Sequence, residues 1–296
     1  MGATEAVHAV GFPGQGGDWR AALRILQAHS NEPEAQALAE RLGTDDWGAL
    51  DQLDTRTSQP VVVATGLLAA RLADLAGAAP VAVVGHSLGE VTACCLAGAL
   101  TVEQAIDLAS LRADLGHRAD EDRPGAMVAI MRLRRDQVEW IRRVVLARHV
   151  GVLEVAVVNS PTQVVLSGDR ALCAAASTAA EDAGGVARAL PIGGAFHSPV
   201  MASAVEPFTA ALRGALAPAR IPVVPSAVPV PSTEPTVLAE AMARSLVLPV
   251  DWPGAIGALV DLGVTTAVDA GPGDTLVRLA RFETRIPFEP CPPLPA

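Results

Sequence analysis

Residues 81–100, "VAVVGHSLGEVTACCLAGAL", constrain the fold more than any other stretch of this chain. Four apolar residues predict a buried strand, and the run from Ser87 onward predicts a buried helix, with only a glycine-flanked turn between them. A strand that passes directly into a helix is the basic unit of an α/β fold with a parallel sheet. Serine between two glycines at such a junction is also typical of a nucleophile elbow, so the stretch predicts a reactive residue as well as a fold.

The rest of the chain repeats this alternation. Short β-branched runs alternate with Ala- and Leu-rich segments that have helical spacing, which predicts the α/β class with a mostly parallel sheet. Helices are expected at 19–29 and 34–41, and a long buried helix is expected to start after Pro60. Thr101 is expected to cap the helix that follows the serine helix.

A change of rhythm marks the middle of the chain. Residues 126–192 give the order strand, helix, strand, strand, helix, strand, from "AMVAIM" to "VARALPI". This order is that of a ferredoxin-like unit. We therefore predict a small ferredoxin-like subdomain at 126–192, inserted into a large catalytic subdomain formed by 1–125 and 193–296.

Composition argues against several classes of protein. The formal net charge of −10, without a long basic run, argues against nucleic-acid binding. No apolar run reaches about 18 residues, which argues against a membrane-spanning helix. The four cysteines include no C-x-x-C pair, so neither a metal site nor a disulfide framework is predicted. We expect a soluble, cytoplasmic protein.

One basic stretch, "MRLRRDQVEWIRR", stands out in this acidic chain. Its arginines could form a solvated helix face, which we favour from the residues alone, or they could contact an acidic partner. Arg134 and Arg135 are the candidates for such a contact.

A nucleophilic Ser87 requires a base, and the chain has six histidines. Four of them are expected in the first strand, at solvated helix ends or in loops: His8, His29, His117 and His149. His86 adjoins the serine, so its side chain must point away from the position of the base. His197, in "GGAFHSP", lies at a predicted strand-to-helix boundary, and the residues alone leave it open between a general base and a histidine satisfied in the core.

A second glycine-rich turn, "GFPGQGG", follows the first predicted strand. It fits neither a P-loop nor a dinucleotide-binding turn. Such a loop exposes backbone N–H groups, and the N–H of Gln15 could form an oxyanion hole with that of Leu88. The alternative is a simple β-turn that caps a helix.

Several spaced motifs together resemble the malonyl-CoA:acyl carrier protein transacylase family, which includes the acyltransferase domains of polyketide synthases. The motifs cover nearly the whole chain and occur in the family's order: "GFPGQG", "SQPVVVA", "GHSLGE", "LASLRADL", "GAM", "VNSPTQVVLSG", "AFHSP", "LPVDW" and "DAGPGDTLVRL". The resemblance implies an α/β-hydrolase-like large domain with an inserted ferredoxin-like subdomain.

The resemblance also implies roles for individual residues. Ser87 would be the nucleophile that is acylated, and His197 the general base. The backbone N–H groups of Gln15 and Leu88 would form the oxyanion hole. A main-chain carbonyl at Ser245 would orient the histidine, so no acidic third member of a triad is expected.

Arg112, in "LASLRADL", matches the family's arginine that holds the free carboxylate of a malonyl group, a task suited to a guanidinium. The implied activity is ping-pong transfer of malonyl from CoA to the phosphopantetheine thiol of an acyl carrier protein, without a bound cofactor or metal. Because the chain begins with Met and carries no ketosynthase or carrier sequence, we expect a discrete enzyme that acts in trans in fatty-acid or polyketide biosynthesis.

The acyl pocket is partly predictable by the same resemblance. The family's His-Ala-Phe-His pattern goes with malonyl, and this chain has Gly194-Ala195-Phe196-His197. Phe196 would disfavour a branched acyl group, whereas Gly194 could enlarge the pocket. His86 is assigned to the substrate pocket too. Asp18 replaces the family's glutamine and would add negative charge if it faced the site.

Two other functions stay open at this point. The acyl-serine could be released to water, or carry a different acyl group between carrier proteins, as in an editing thioesterase or a specialised transferase. The chain could also be a docking module for a carrier protein with an inactive site.

Overall fold

The computed structural model describes residues 7–282 and 285–295, and within them the chain forms eleven α-helices and ten β-strands. The helices are α1 Trp19–Ala28, α2 Pro33–Leu42, α3 Thr55–Leu72, α4 Gly89–Leu96, α5 Val102–Asp122, α6 Arg135–Arg148, α7 Arg170–Asp182, α8 Ala202–Ala215, α9 Pro235–Ser245, α10 Trp252–Asp261 and α11 Thr275–Ala280. The strands are β1 His8–Phe12, β2 Ala82–Gly85, β3 Gly125–Met131, β4 Leu153–Ser160, β5 Gln163–Asp169, β6 Val186–Ala189, β7 Val223–Val224, β8 Val250–Asp251, β9 Thr266–Asp269 and β10 Phe288–Pro290. The predicted α/β class with a large parallel sheet and a second sheet is confirmed.

The first sheet has the order β10-β9-β1-β2-β7, and every neighbouring pair is parallel. At the carboxyl edge of this sheet Phe12, the last residue of β1, lies opposite Gly85, the last residue of β2. The two glycine-rich turns predicted from the sequence therefore leave adjacent strands at the same edge, where open α/β sheets bind their ligands. The sequence predicts the first strand over "AVHAVGF", residues 6–12; residue 6 lies outside the described residues, and β1 begins at His8.

The second sheet has the order β6-β3-β5-β4-β8. Its first four strands are antiparallel and follow the ferredoxin-like order expected for 126–192. The fifth strand, β8, comes from outside that range and pairs in parallel with β4, with Val250 opposite Val157. The sheet therefore extends beyond the predicted subdomain, whose limits stay a prediction.

The long buried helix starts earlier than expected. α3 begins at Thr55, because the side chain of Asp54 accepts a hydrogen bond from Arg56 N at the helix start. The hydroxyl of Thr55 also pairs with the backbone of Gly193, a remote contact that fixes this turn. Pro60 thus lies inside the helix, near enough to its start that it removes only one hydrogen bond of the second turn.

The serine helix is shorter than expected. α4 ends at Leu96, and Gly98, with φ +77°, turns the chain before Leu100, where the sequence predicted the end. The predicted cap of α5 is confirmed: the Thr101 hydroxyl accepts from Gln104 N, and the Gln104 side chain accepts from Thr101 N.

Aliphatic side chains from helices on both faces of the first sheet form the main core, and a second core lies between the second sheet and the α6–α7 pair. Among residues 7–282 and 285–295, no helix has both the length and the apolar character needed to cross a membrane. The same residues contain no cluster of three or more His, Cys, Asp and Glu side chains suited to hold a metal ion.

Candidate active site

Ser87 lies on a sharp turn between β2 and α4 and has a φ of +55°, in the left-handed region that non-glycine residues rarely adopt. The flanking glycines allow this turn. A Cβ on Gly85 would lie 2.1 Å from Glu90 N, and one on Gly89 would lie 2.1 Å from Phe12 O. No side chain fits at either position, so the glycines of the motif are a steric requirement of the turn.

His197 is placed against this serine by a different part of the chain. Its Nε2 lies 2.7 Å from Ser87 Oγ, and its Nδ1 lies 2.5 Å from the carbonyl oxygen of Ser245 and 3.2 Å from that of Leu248. Because carbonyl oxygens only accept, Nδ1 must carry the proton, which leaves Nε2 free to accept from the serine hydroxyl. His197 N also donates to Leu246 O, and the residue has a φ of +61°.

The imidazole is in its neutral form at physiological pH. Burial and, to a smaller extent, the positive charge of Arg112 lower the pKa of His197 to about 3, although the hydrogen bond to the Ser245 carbonyl opposes the decrease. A neutral imidazole with a free Nε2 beside a hydroxyl is the arrangement that removes a proton from a serine.

Arg112 reaches the same point from α5. Its Nη2 donates to Ser87 Oγ over 3.2 Å, and its guanidinium lies 4.5 Å from the centre of the Phe196 ring. Burial lowers the pKa of Arg112 to about 10, with Glu90 opposing the decrease, so the side chain stays charged at neutral pH. Among the described residues no carboxylate forms an ion pair with it. The site therefore holds a buried cation able to receive an anion.

The backbone N–H groups predicted for the oxyanion hole are both at this site. Gln15 and Leu88 line the same cavity as Ser87. Within the described part of the chain neither N–H donates to a protein acceptor. Leu88 is the N-cap residue of α4, so its N–H lies at the positive end of a helix dipole. The loop comes this close because Gly14 has no side chain: a Cβ there would lie 2.8 Å from His86 O.

The side chain of Gln15 is held by the start of α3. Its Nε2 donates to Ser58 Oγ over 2.7 Å, and its Oε1 accepts from Gln59 Nε2 over 3.2 Å. Ser58 and Gln59 belong to the "SQPVVVA" motif, to which the sequence assigned no role. These bonds fix the direction of the Gln15 backbone.

A cavity of about 210 Å³ adjoins Ser87 and lies between the two sheets. Its far wall comes from β3, β4, β5 and the segment after β6: Met127, Ala129, Val157, Asn159, Gln163, Val165, Leu190, Pro191 and Ile192. Phe196 and His86, which the sequence predicts in a substrate pocket, also line this cavity. His86 Nε2 lies 2.8 Å from Asn159 Oδ1, so this imidazole is held away from Ser87 Oγ.

Gly194 and Asp18, the two positions that could have altered the acyl pocket, do not reach this cavity. Gly194, with φ +97°, lies behind Phe196 and does not line the wall. Asp18 caps α1, its carboxylate accepting from Ala21 N, so it adds no charge beside Ser87.

The two arginines suggested for partner contact start α6. Arg134 is exposed and paired with Asp136. Arg135 lines a separate surface groove, whose other side includes His197 and Pro199.

Two buried residues at the site were missed. Glu90 accepts hydrogen bonds at Oε1 from Ser226 N and Ser226 Oγ, each 2.7 Å long. Ser226 Oγ in turn accepts from Ser87 N over 3.1 Å. Glu90 was visible as the last residue of "GHSLGE", whereas Ser226 stands in a proline-rich stretch, "IPVVPSAVPVP", that has no functional signal.

The sequence and the fold both resemble those of known proteins. Residues 12–285 match the model of the acyl transferase domain family. The polyketide synthase GfsA of Streptomyces halstedii is 35% identical over 90% of this chain, which spans only 4% of that protein's length. The malonyl CoA-acyl carrier protein transacylase of Bacillus subtilis is 30% identical, over 78% of this chain and 73% of its own. A solved malonyl-transacylase in complex with its type II polyketide synthase acyl-carrier protein superimposes with a TM-score of 0.85 at 27% identity, covering 96% of each chain.

Proposed function

This chain belongs to the acyl transferase domain family, and we propose that it transfers a malonyl group from CoA to the phosphopantetheine thiol of an acyl carrier protein through an acyl-serine on Ser87. The observation that carries the proposal is the meeting of three side chains at one oxygen. His197 Nε2 lies 2.7 Å from Ser87 Oγ, and Arg112 Nη2 lies 3.2 Å from it. A base and an unpaired cation at one nucleophile suit an acyl donor that carries a negative charge.

In the first half-reaction Ser87 Oγ attacks the thioester carbon while its proton passes to His197 Nε2. The oxygen of the tetrahedral intermediate would receive the N–H groups of Gln15 and Leu88. When the carbon–sulfur bond breaks, the imidazolium returns the proton to the CoA sulfur. His197 is neutral again, and the malonyl group is an ester on Ser87.

In the second half-reaction the carrier's phosphopantetheine thiol gives its proton to His197 and attacks the ester carbon. The ester bond to Ser87 breaks, and the imidazolium protonates the serine oxygen. Each step balances with the residues described, so the proposed reaction needs no bound cofactor. The apolar wall of the cavity limits productively placed water, which would otherwise hydrolyse the ester.

The preference for malonyl rests on Arg112. The buried guanidinium has lost its interactions with water. A carboxylate paired with it would replace them. The same pairing would offset the positive charge that lowers the pKa of His197. A substrate with a free carboxylate would therefore raise the pKa of His197, whereas acetyl-CoA, which has none, would not.

Acyl carrier protein as the partner is supported by the relatives, among them a transacylase solved with its carrier. Arg134 and Arg135 remain the proposed contacts for an acidic carrier, and the groove that Arg135 lines reaches His197. Action in fatty-acid or polyketide biosynthesis and a cytoplasmic location stay predictions from the sequence.

Intact-mass measurement after exposure to malonyl-CoA tests the proposal. We expect a malonyl adduct that maps to Ser87, is absent from Ser87→Ala and is discharged by a holo carrier protein. Release of free acid from acyl carriers without an accumulated malonyl adduct would instead support an editing thioesterase. Binding of a carrier without any adduct would support a docking module.

A further inference from the structure

Glu90 is a buried carboxylate that the proposed reaction does not use. Its side chain lies in the first turn of α4, and the residue is 2% exposed. Burial raises the pKa of Glu90 to about 7, although the hydrogen bonds from Ser226 lower it. Burying such a group is costly unless hydrogen bonds compensate, so the role of its hydrogen bonds needs an explanation.

The hydroxyl of Ser226 connects Glu90 to the nucleophile. Ser226 Oγ has one proton, and its 2.7 Å bond to Glu90 Oε1 uses that proton, because Oε1 also accepts from Ser226 N and is therefore the acceptor oxygen of the carboxyl. The lone pairs of Oγ are then directed at Ser87 N, 3.1 Å away. The second bond to Glu90 Oε1, from Ser226 N, fixes the serine backbone as well.

This connection closes a loop around the strained turn. Ser87 and Glu90 lie three positions apart, and Ser226 bridges them from a remote segment. Ser87 N–H is thereby engaged by Ser226, which does not line the cavity. The next N–H, of Leu88, donates to no acceptor in the described part of the chain and is left for the oxyanion. Ser226 is itself held, since Asp251 N donates to its carbonyl over 2.8 Å.

We infer that Ser226 and Glu90 are positioning residues that hold the Ser87 turn in its left-handed conformation and so align the serine hydroxyl and the Leu88 N–H for acylation. This inference rests on the proposed role of Ser87. It assigns Ser226 and Glu90 no contact with the acyl group: they act through the backbone of the nucleophile.

The test is single-turnover acylation by malonyl-CoA, with rate and apparent binding measured separately. Ser226→Ala should slow acylation roughly 10- to 100-fold, the effect of losing one hydrogen bond of a charged network, while binding changes less than about twofold. Ser226→Thr, which keeps the hydroxyl, should recover most of the rate. Ser110→Ala is the matched control, because it removes another buried hydroxyl, bonded to Ile106 O in α5, and should leave the rate unchanged.

Glu90→Gln keeps the shape of the side chain and removes its charge. We expect a smaller loss than for Ser226→Ala, and we expect the double variant to be no slower than Ser226→Ala, since Glu90 acts through Ser226. Additive losses would overturn the inference, as would acylation of folded Ser226→Ala at the wild-type rate. If Ser226→Ala does not fold, the acylation rates of Ser226→Thr and Glu90→Gln are compared with that of the wild-type protein. A loss of rate in Ser226→Thr, which keeps the hydroxyl, as large as that in Glu90→Gln would contradict the inference. Absence of an adduct on the wild-type protein contradicts the proposed function instead.

Discussion

Ser87 and His197 share an unusual backbone conformation, with φ values of +55° and +61°, but the chain produces it in two different ways. The serine turn is built locally: two glycines within two residues remove the side chains that would collide with neighbouring backbone. The histidine is held by remote backbone, since its N–H and its Nδ1 both bond to carbonyls of the 245–248 segment. The strained conformation of Ser87 can therefore be recognised from its neighbours in sequence, and that of His197 cannot.

The largest effect is expected when the imidazole of His197, the proposed general base, is removed. His197→Ala should slow acylation of Ser87 about 10⁴-fold, the upper contribution of a general base. The exposed His149 at the end of α6 provides the control, since His149→Ala removes the same side chain far from the cavity. Stopped-flow or quenched-flow loading by malonyl-CoA measures both. A loss under about tenfold for His197→Ala would contradict the proposed role.

The local origin of the serine turn is tested by Gly89→Ala. Its new methyl group would lie 2.1 Å from Phe12 O, a contact between two rigid backbones. We expect a loss of at least about 3 kcal/mol in the free energy of unfolding, measured by denaturant titration. Gly214→Ala is the control, because nothing lies within 4 Å of that position in α8. It should be neutral or stabilising by up to about 1 kcal/mol. Equal stability of the two variants would contradict the steric argument.

Arg112 interacts with both residues compared above. It donates a hydrogen bond to the Ser87 hydroxyl, and its positive charge lowers the pKa of His197. Arg112→Ala should reduce malonyl loading about 100-fold, as expected for loss of a charged partner, while acetyl loading is spared. Parallel second-order rate constants with malonyl-CoA and acetyl-CoA measure the ratio. Equal losses on both donors would show that the arginine does not receive the carboxylate.

The same variant changes the pH dependence in a defined direction. Because the positive charge of Arg112 lowers the pKa of His197, its removal raises that pKa. A base with a higher pKa is protonated sooner as the pH falls, so the acid limb of acylation should move to higher pH, by up to about one unit. Acetyl-CoA is the donor for this measurement, since it brings no carboxylate of its own. A shift to lower pH would contradict the assignment of His197.

The smallest effect is expected beside the histidine, at Gly194. Its φ of +97° strains any side chain, but the nearest atom to a new Cβ is Gly116 O at 3.4 Å, so nothing collides. Gly194→Ala should cost about 1 kcal/mol of stability. The rate ratio for malonyl and methylmalonyl loading should stay unchanged, because Gly194 does not line the cavity. A changed ratio would restore the pocket role expected from the sequence.

The parts of the structure that the sequence predicted are those specified by neighbouring residues. The serine turn, the Thr101 cap and the first four strands of the second sheet depend on local glycines, a capping box and alternating patterns. The start of α3 at Thr55 was missed because Pro60 was taken as the helix start, although the local Asp54 cap marks the earlier one. Only the supporting contact of Thr55 with Gly193 is distant in sequence.

The same limit applies at the candidate site. Leu248 contacts His197 through its backbone carbonyl, which any residue type could supply. Ser226 contacts Ser87 through its hydroxyl, but it lies in a proline-rich stretch distant in sequence. Neither position carries a sequence signal. Both contacts could be identified only from the folded structure.

The pairing of β8 with β4 limits how chimaeric proteins can be built within this family. A donor insert swapped in at 126–192 would bring its own version of β4, which must then match the recipient's Val250 and Asp251. Those two residues follow soon after Ser245 and Leu248, whose carbonyls orient His197, and Asp251 N bonds to the carbonyl of Ser226. A mismatched graft would therefore rotate the imidazole and loosen the serine turn together. Hybrid enzymes should exchange residues 126–192 and 245–251 as one discontinuous cassette.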